Sequence, residues 1–104
     1  MHIQFNTDNS IKGSEAFRAP LEDTLNKSLT RFAERITRLE VHINDENSHK
    51  PGQDDKRCML EARLEGMQPI AVTNNGATEE HALDGAIDKL KVALDTTIGR
   101  LRNY

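Results

Sequence analysis

Residues 82 to 101, ALDGAIDKLKVALDTTIGRL, constrain this chain more than any other stretch. Ala82, Leu83, Ala86, Ile87, Leu90, Ala93, Leu94, Thr97, Ile98 and Leu101 recur at the three-and-four spacing that gathers apolar side chains on one face of a helix. About twenty residues at 1.5 Å each give a rod roughly 30 Å long. Such a face needs a matching apolar surface to cover it. Thr78 is placed to cap the helix, with Glu79 and Glu80 in the favourable field of its amino end. Lys91 lies midway, and Arg100 and Arg102 stand where cations are favoured.

The other helical pattern begins at Ser14, a candidate cap, and is expected to run to about Ala33 or Glu34. Phe17, Leu21, Leu25, Ser28, Leu29 and Phe32 form its inward face. Pro20 lies past the first turn, where it removes a bond to Ala16, so a bend or a regular helix starting near Ala19 is expected. Lys27, Arg31 and Arg35, spaced four apart, would form a continuous basic ridge on the outer face.

Strand patterns fill the rest. HIQFNT alternates, with Ile3 and Phe5 on one side, and the turn-rich DNSIKGS follows. RLEVHIN puts Leu39, Val41 and Ile43 opposite Glu40, His42 and Asn44. A long loop with a reversal at Pro51-Gly52 leads to a third strand, 56 to 66, whose inward side holds Cys58, Leu60, Ala62 and Leu64. Gly66 to Gln68 reads as a turn, and Pro69 to Thr73 as a fourth strand with Pro69 at its start or on an edge. NNGAT then leads into the long helix. The order is β-α-β-β-β-α, an α+β two-layer sandwich with both helices packed on one face of a four-stranded mixed sheet. The first and second strands should run parallel across a right-handed crossover, with the later strands antiparallel and the far face wet.

The chain's 104 residues suit a single domain, 1–104, and a composition of 36% hydrophobic and 30% charged residues is that of a soluble folded protein. The absence of a long apolar run and the polar first twenty residues lead to an expectation of a cytoplasmic protein without membrane contact. The single cysteine, Cys58, reads as a small buried hydrophobe. A net charge of -3 gives no general cationic field, although a local basic patch suffices to bind phosphate.

Catalytic constellations are not evident. His2, His42, His49 and His81 are scattered and fit no metal-ligand spacing, and Arg63 stands between the carboxylates Glu61 and Glu65, which reads as pairing on a solvated sheet. NNGAT lacks the spacing of a phosphate loop, though helix-start amides could hold an anion weakly. No enzyme activity, cofactor or metal is expected. The basic residues Lys27, Arg31 and Arg35 on the first helix, with Lys89, Lys91, Arg100 and Arg102 on the second, would combine into a strip suited to the phosphates of structured RNA. Asp84, Asp88 and Asp95 interrupt that strip, and on residue chemistry alone ordinary solvated helix faces are the simpler reading. Aromatics for base stacking are too few, since Phe5, Phe17 and Phe32 serve the core and Tyr104 is terminal.

Several phrases resemble the ribosome hibernation promoting factor and ribosome-associated inhibitor family, also described as sigma-54 modulation or S30EA proteins. They are FNTDNSIKGSE with its Asn-rich turn, Arg18 near the helix start, the strand ITRLEVHI and, most specifically, ALDGAIDKL at residues 82 to 90. The resemblance implies the β-α-β-β-β-α fold and a protein that binds the small ribosomal subunit and its 16S rRNA in the channel used by messenger and transfer RNA, silencing ribosomes when growth stops. Lys89 matches the lysine of the family's Asp-Lys-Leu phrase, and Lys91, Arg100 and Arg102 stand where the family carries a dense basic run. That run is interrupted here, because KVALDTTIG follows the phrase. The alternative is a divergent member acting through protein contacts, as a homodimer joined through a sheet edge.

Overall fold

A computed structural model describes residues 1–7, 15–45 and 56–102, without the side chains at 7, 15–17, 101 and 102. Its elements are β1 (His2–Thr7), α1 (Glu15–Ser28), a 3-10 turn (Thr30–Phe32), β2 (Ile36–Asp45), β3 (Lys56–Leu64), β4 (Ile70–Gly76) and α2 (Glu79–Arg102). The expected Ser14 cap, the Pro51-Gly52 reversal, His49 and the inward placing of Phe17 and Leu101 lie outside the described residues.

The strands form one sheet in the order β1-β2-β3-β4. β1 runs parallel to β2, with Phe5 opposite Val41, and the other two pairings are antiparallel. One side of the sheet and the inward stripes of both helices meet in a single apolar cluster. Leu25 and Leu29 come from the α1 side, Leu39, Val41 and Ile43 from β2, Cys58, Leu60 and Ala62 from β3, and Leu83, Leu90 and Leu94 from α2, all buried. Each fully buried aliphatic side chain contributes about 1.5–3 kcal/mol from removal of its surface from water. The two-layer α+β sandwich follows from one apolar side per element.

Alternation along β2 is broken once. Ile36 pairs with Leu64 and Arg38 with Arg63, leaving Thr37 as an extra residue. Its hydroxyl donates to the Arg63 carbonyl at 3.0 Å. The bulge lets both Ile36 and Leu39 point into the core although three positions separate them.

Expectations for two parts of the chain are corrected, the first for α1. The α-helix does not continue to Ala33 or Glu34, because the Thr30 hydroxyl donates to the Asn26 and Lys27 carbonyls, at 2.7 and 3.1 Å, at the point where further backbone amides would bond. The chain tightens instead, with Phe32 N–H donating to the Leu29 carbonyl and Ala33 N–H to that of Thr30. Helical structure also runs through Pro20 from Glu15 rather than starting near Ala19.

The second correction concerns NNGAT. β4 runs on through Asn74, Asn75 and Gly76, so only Ala77 and Thr78 connect it to α2. Asn74 occupies an inward position opposite Cys58, and its amide donates to the Ala82 carbonyl at 3.3 Å. Gly85 leaves room for that amide, since a Cβ there would collide with it. A Cβ on Gly76 would fall 2.5 Å from the Ala82 nitrogen. Strand and helix therefore approach closely at two glycines. Thr78 caps α2 as the sequence indicates, its hydroxyl accepting the His81 N–H at 3.1 Å.

Helix propensity alone would have Gly85→Ala stabilise the fold by about 1 kcal/mol. The packing reverses the sign: a loss of about 1–3 kcal/mol is expected in denaturant unfolding. In an Asn74→Ala background the same change should cost markedly less, and equal costs in the two backgrounds would disprove the close approach. Leu90→Ala, which opens a cavity under the middle of α2, should cost about 2–5 kcal/mol by the same measurement.

Candidate nucleic-acid interface

The helix layer carries the basic residues singled out in the sequence, and the end of α1 at Ser28 redistributes them. Lys27 is in the last turn of α1, Arg31 in the 3-10 turn and Arg35 in the turn before β2, so they do not share one helical ridge. Lys27 pairs with Asp23 on its own helix at 3.0 Å, with both side chains well exposed. Arg31 turns toward α2. Its two terminal nitrogens donate to the two carboxylate oxygens of Asp95 at 2.7 and 3.0 Å, and its guanidinium lies 4.3 Å from the Phe32 ring centroid.

Arg31, Phe32 and Arg35 face Asp95, Ile98 and Gly99 across a cleft of about 330 Å³. Hydrogen bonding to Arg31 holds the Asp95 carboxyl below the ordinary carboxylate range, with the charges of Arg31 and Lys91 acting in the same direction against partial desolvation. The same hydrogen bond raises Arg31 further above its already high value. Lys91, one turn before Asp95, belongs to this group, and Arg100 is exposed just beyond Gly99. Arg102 closes α2, with its side chain outside the described residues.

Lys89 is turned elsewhere. Its ammonium donates to the Thr73 carbonyl of β4 at 2.8 Å, which sets a cation beside an edge strand. Among the described side chains, Arg31, Arg35 and Lys91 gather around Asp95, while Lys27 pairs with Asp23 and Lys89 with the Thr73 carbonyl. Asp95, which the sequence marks as an interruption of the basic strip, takes up the charge of Arg31 directly, and that partnership is what the sequence did not reveal.

The outer face of the sheet is a separate charged lattice. Glu40 and Glu61 stand directly opposite each other, and Arg63 bridges them at 3.3 and 3.1 Å. His42 and Arg38 approach the Glu40 carboxylate at 3.6 and 3.7 Å, and Arg38 also donates to the Gln4 side chain on β1. Cross-strand pairing is what the sequence indicated for Glu61 and Arg63, whereas Glu65 falls beyond the end of β3. Among the described residues no three His, Cys, Asp or Glu side chains converge on a metal-sized site, and no helix is long and apolar enough to cross a membrane.

Three comparisons bear on this arrangement. The family model described as Sigma 54 modulation protein / S30EA ribosomal protein matches residues 3–102. The N-terminal domain of Protein Y from Thermus thermophilus superposes with a TM-score of 0.71 at 20% identity, over 93% of this chain and 99% of that one. A ribosomal subunit interface protein from Coxiella burnetii gives the same TM-score and identity over 95% and 99% of the two chains. No curated protein matches the sequence.

Two measurements check the local chemistry. A carboxyl with a depressed pKa in the folded state stabilises it above the ordinary carboxylate value, and that contribution fades as pH falls through the depressed one. A carbon-13 titration should therefore place the Asp95 midpoint below that of the same carboxyl in Arg31→Gln, and coincident midpoints would deny the pairing. Burial pushes the Cys58 thiol up to about 12. It should resist a chromogenic disulfide reagent at neutral pH and react only when the protein unfolds.

Proposed function

The chain belongs to the sigma-54 modulation protein / S30EA ribosomal protein family, and from that membership we propose that it binds the small ribosomal subunit through 16S rRNA and restrains translation under stress or in stationary phase. The observation that carries the reading is the reach of the family match, residues 3–102, which runs from within β1 to the end of α2. The shared fold with a ribosomal subunit interface protein supports it. So does the helix layer, where Arg35, Lys91 and Arg100 offer cations to a phosphate backbone. The partner sits in the cytoplasm, and the protein acts by occupying a site rather than by catalysis.

The charge pattern sets the character of the binding. A net charge of -3 gives little long-range attraction, so affinity depends on a few local contacts and on the shape of the rigid helix layer. About three phosphate contacts would give a salt slope of roughly -2 to -3, a loss of about 20- to 40-fold in affinity between 50 and 200 mM salt. A member carrying six or more contacts would lose far more. The dimerising alternative would use a free edge of the sheet, and Lys89 at the Thr73 carbonyl supplies a cation of the kind that discourages strand addition at β4.

Sedimentation of purified small subunits with the protein, at low and moderate salt, tests the reading. Co-sedimentation should fall with salt within that modest range and be lost in a Lys91→Glu, Arg100→Glu double variant whose thermal melting is unchanged. In a reconstituted translation reaction the wild type should lower the yield and the variant should not. Absence of binding at low salt, or binding indifferent to both salt and charge reversal, sinks the proposal.

A further inference from the structure

We propose that the cleft between the 3-10 turn and the carboxyl half of α2 is a phosphate subsite for RNA that Asp95 keeps closed in the free protein. This rests on the ribosome-binding reading and names a control within it.

The two-pronged grip of Arg31 on the Asp95 carboxylate is the geometry with which a guanidinium holds two oxygens of a phosphate. Asp95 is thus an internal stand-in for the ligand. The lock is a weak one. The side chains are 64% and 51% exposed, and ion pairs of that kind stabilise little because water and salt compete for them.

The surroundings suit an exchange of carboxylate for phosphate. Phe32, buried in the core, lies under the Arg31 guanidinium and would keep its plane oriented after Asp95 leaves. Arg35 lines the same cleft and supplies a second guanidinium. Gly99 forms part of the opposite wall, and a Cβ built on it meets nothing within 4 Å, so the wall leaves open space for a ligand. The released carboxylate does not face repulsion alone, since Lys91 already acts on it from one turn earlier. The consequence is selectivity: an isolated anion gains little over Asp95, while a phosphate presented by RNA docked elsewhere on the helix layer displaces it.

Binding of purified small ribosomal subunits across a salt series, with wild type and Asp95→Asn, tests the latch. Asp88→Asn serves as the control that removes the same charge from an exposed site on the same helix. Asp95→Asn should bind about 3- to 10-fold more tightly than wild type at moderate salt, with the salt slope steeper by roughly 0.7–1, as expected for one added phosphate contact. Arg31→Gln should abolish that gain in the Asp95→Asn background and have a much smaller effect in the wild type. If Asp95→Asn gains no more than Asp88→Asn, the latch is refuted while ribosome binding stands. If neither wild type nor any variant binds at low salt, the ribosome reading and the latch fall together.

Discussion

The approach of β4 to the amino end of α2 is the contact on which the remaining geometry depends. Two glycines bring strand and helix closer than side chains would allow, and the Asn74 amide reaches the helix carbonyls through the gap. The Thr78 cap, two residues beyond the strand, fixes where the helix begins. With its origin and depth set, α2 lays Leu83, Leu90 and Leu94 on the sheet and carries Asp95 to the 3-10 turn. A small displacement at Gly76 would be felt at Arg31, because a close-packed interior transmits shifts rather than absorbing them.

The charged surface divides by function. On the outer sheet face Arg63 and Arg38 surround Glu40, whose side chain is only 15% exposed, and such a lattice offsets the repulsion of two opposed glutamates. On the helix layer the charges are exposed and their pairings are loose. Exposed pairs contribute little to folding and respond to salt, which leaves them free for a polyanionic partner. The first arrangement belongs to the architecture, and the second is the one the proposed function draws on.

What the sequence disclosed follows the range of the interactions concerned. Periodicity identified α2, the inward sides of β2 and β3 and the burial of Cys58, because each is a repeat within one element. The cap at Thr78 was legible for the same reason. The end of α1 was hidden: Lys27, Arg31 and Arg35 keep a four-residue spacing, and nothing in that spacing records that the Thr30 hydroxyl takes two helix carbonyls. Asn74 looked like a loop residue because its inward position is satisfied by α2 rather than by apolar burial. The partnership of Arg31 with Asp95 spans 64 positions and leaves no local trace, so the acid read as an obstacle to the basic strip.

The strand order has a consequence for how firmly the parts of the sheet are held. β2 and β3 each have neighbours on both sides, and β4, although an edge, is fastened to α2 directly behind it in sequence. β1 has one ladder, parallel to β2, and its Ile3 and Phe5 are only partly buried against the core. Its pairing closes a long span of chain, the kind of contact that forms late in folding. The amino-terminal strand is therefore the margin from which the sheet would first peel, its amides exchanging with solvent before those beneath α2. A partner seated on the helix layer near α2 would grip the part of the molecule that opens last.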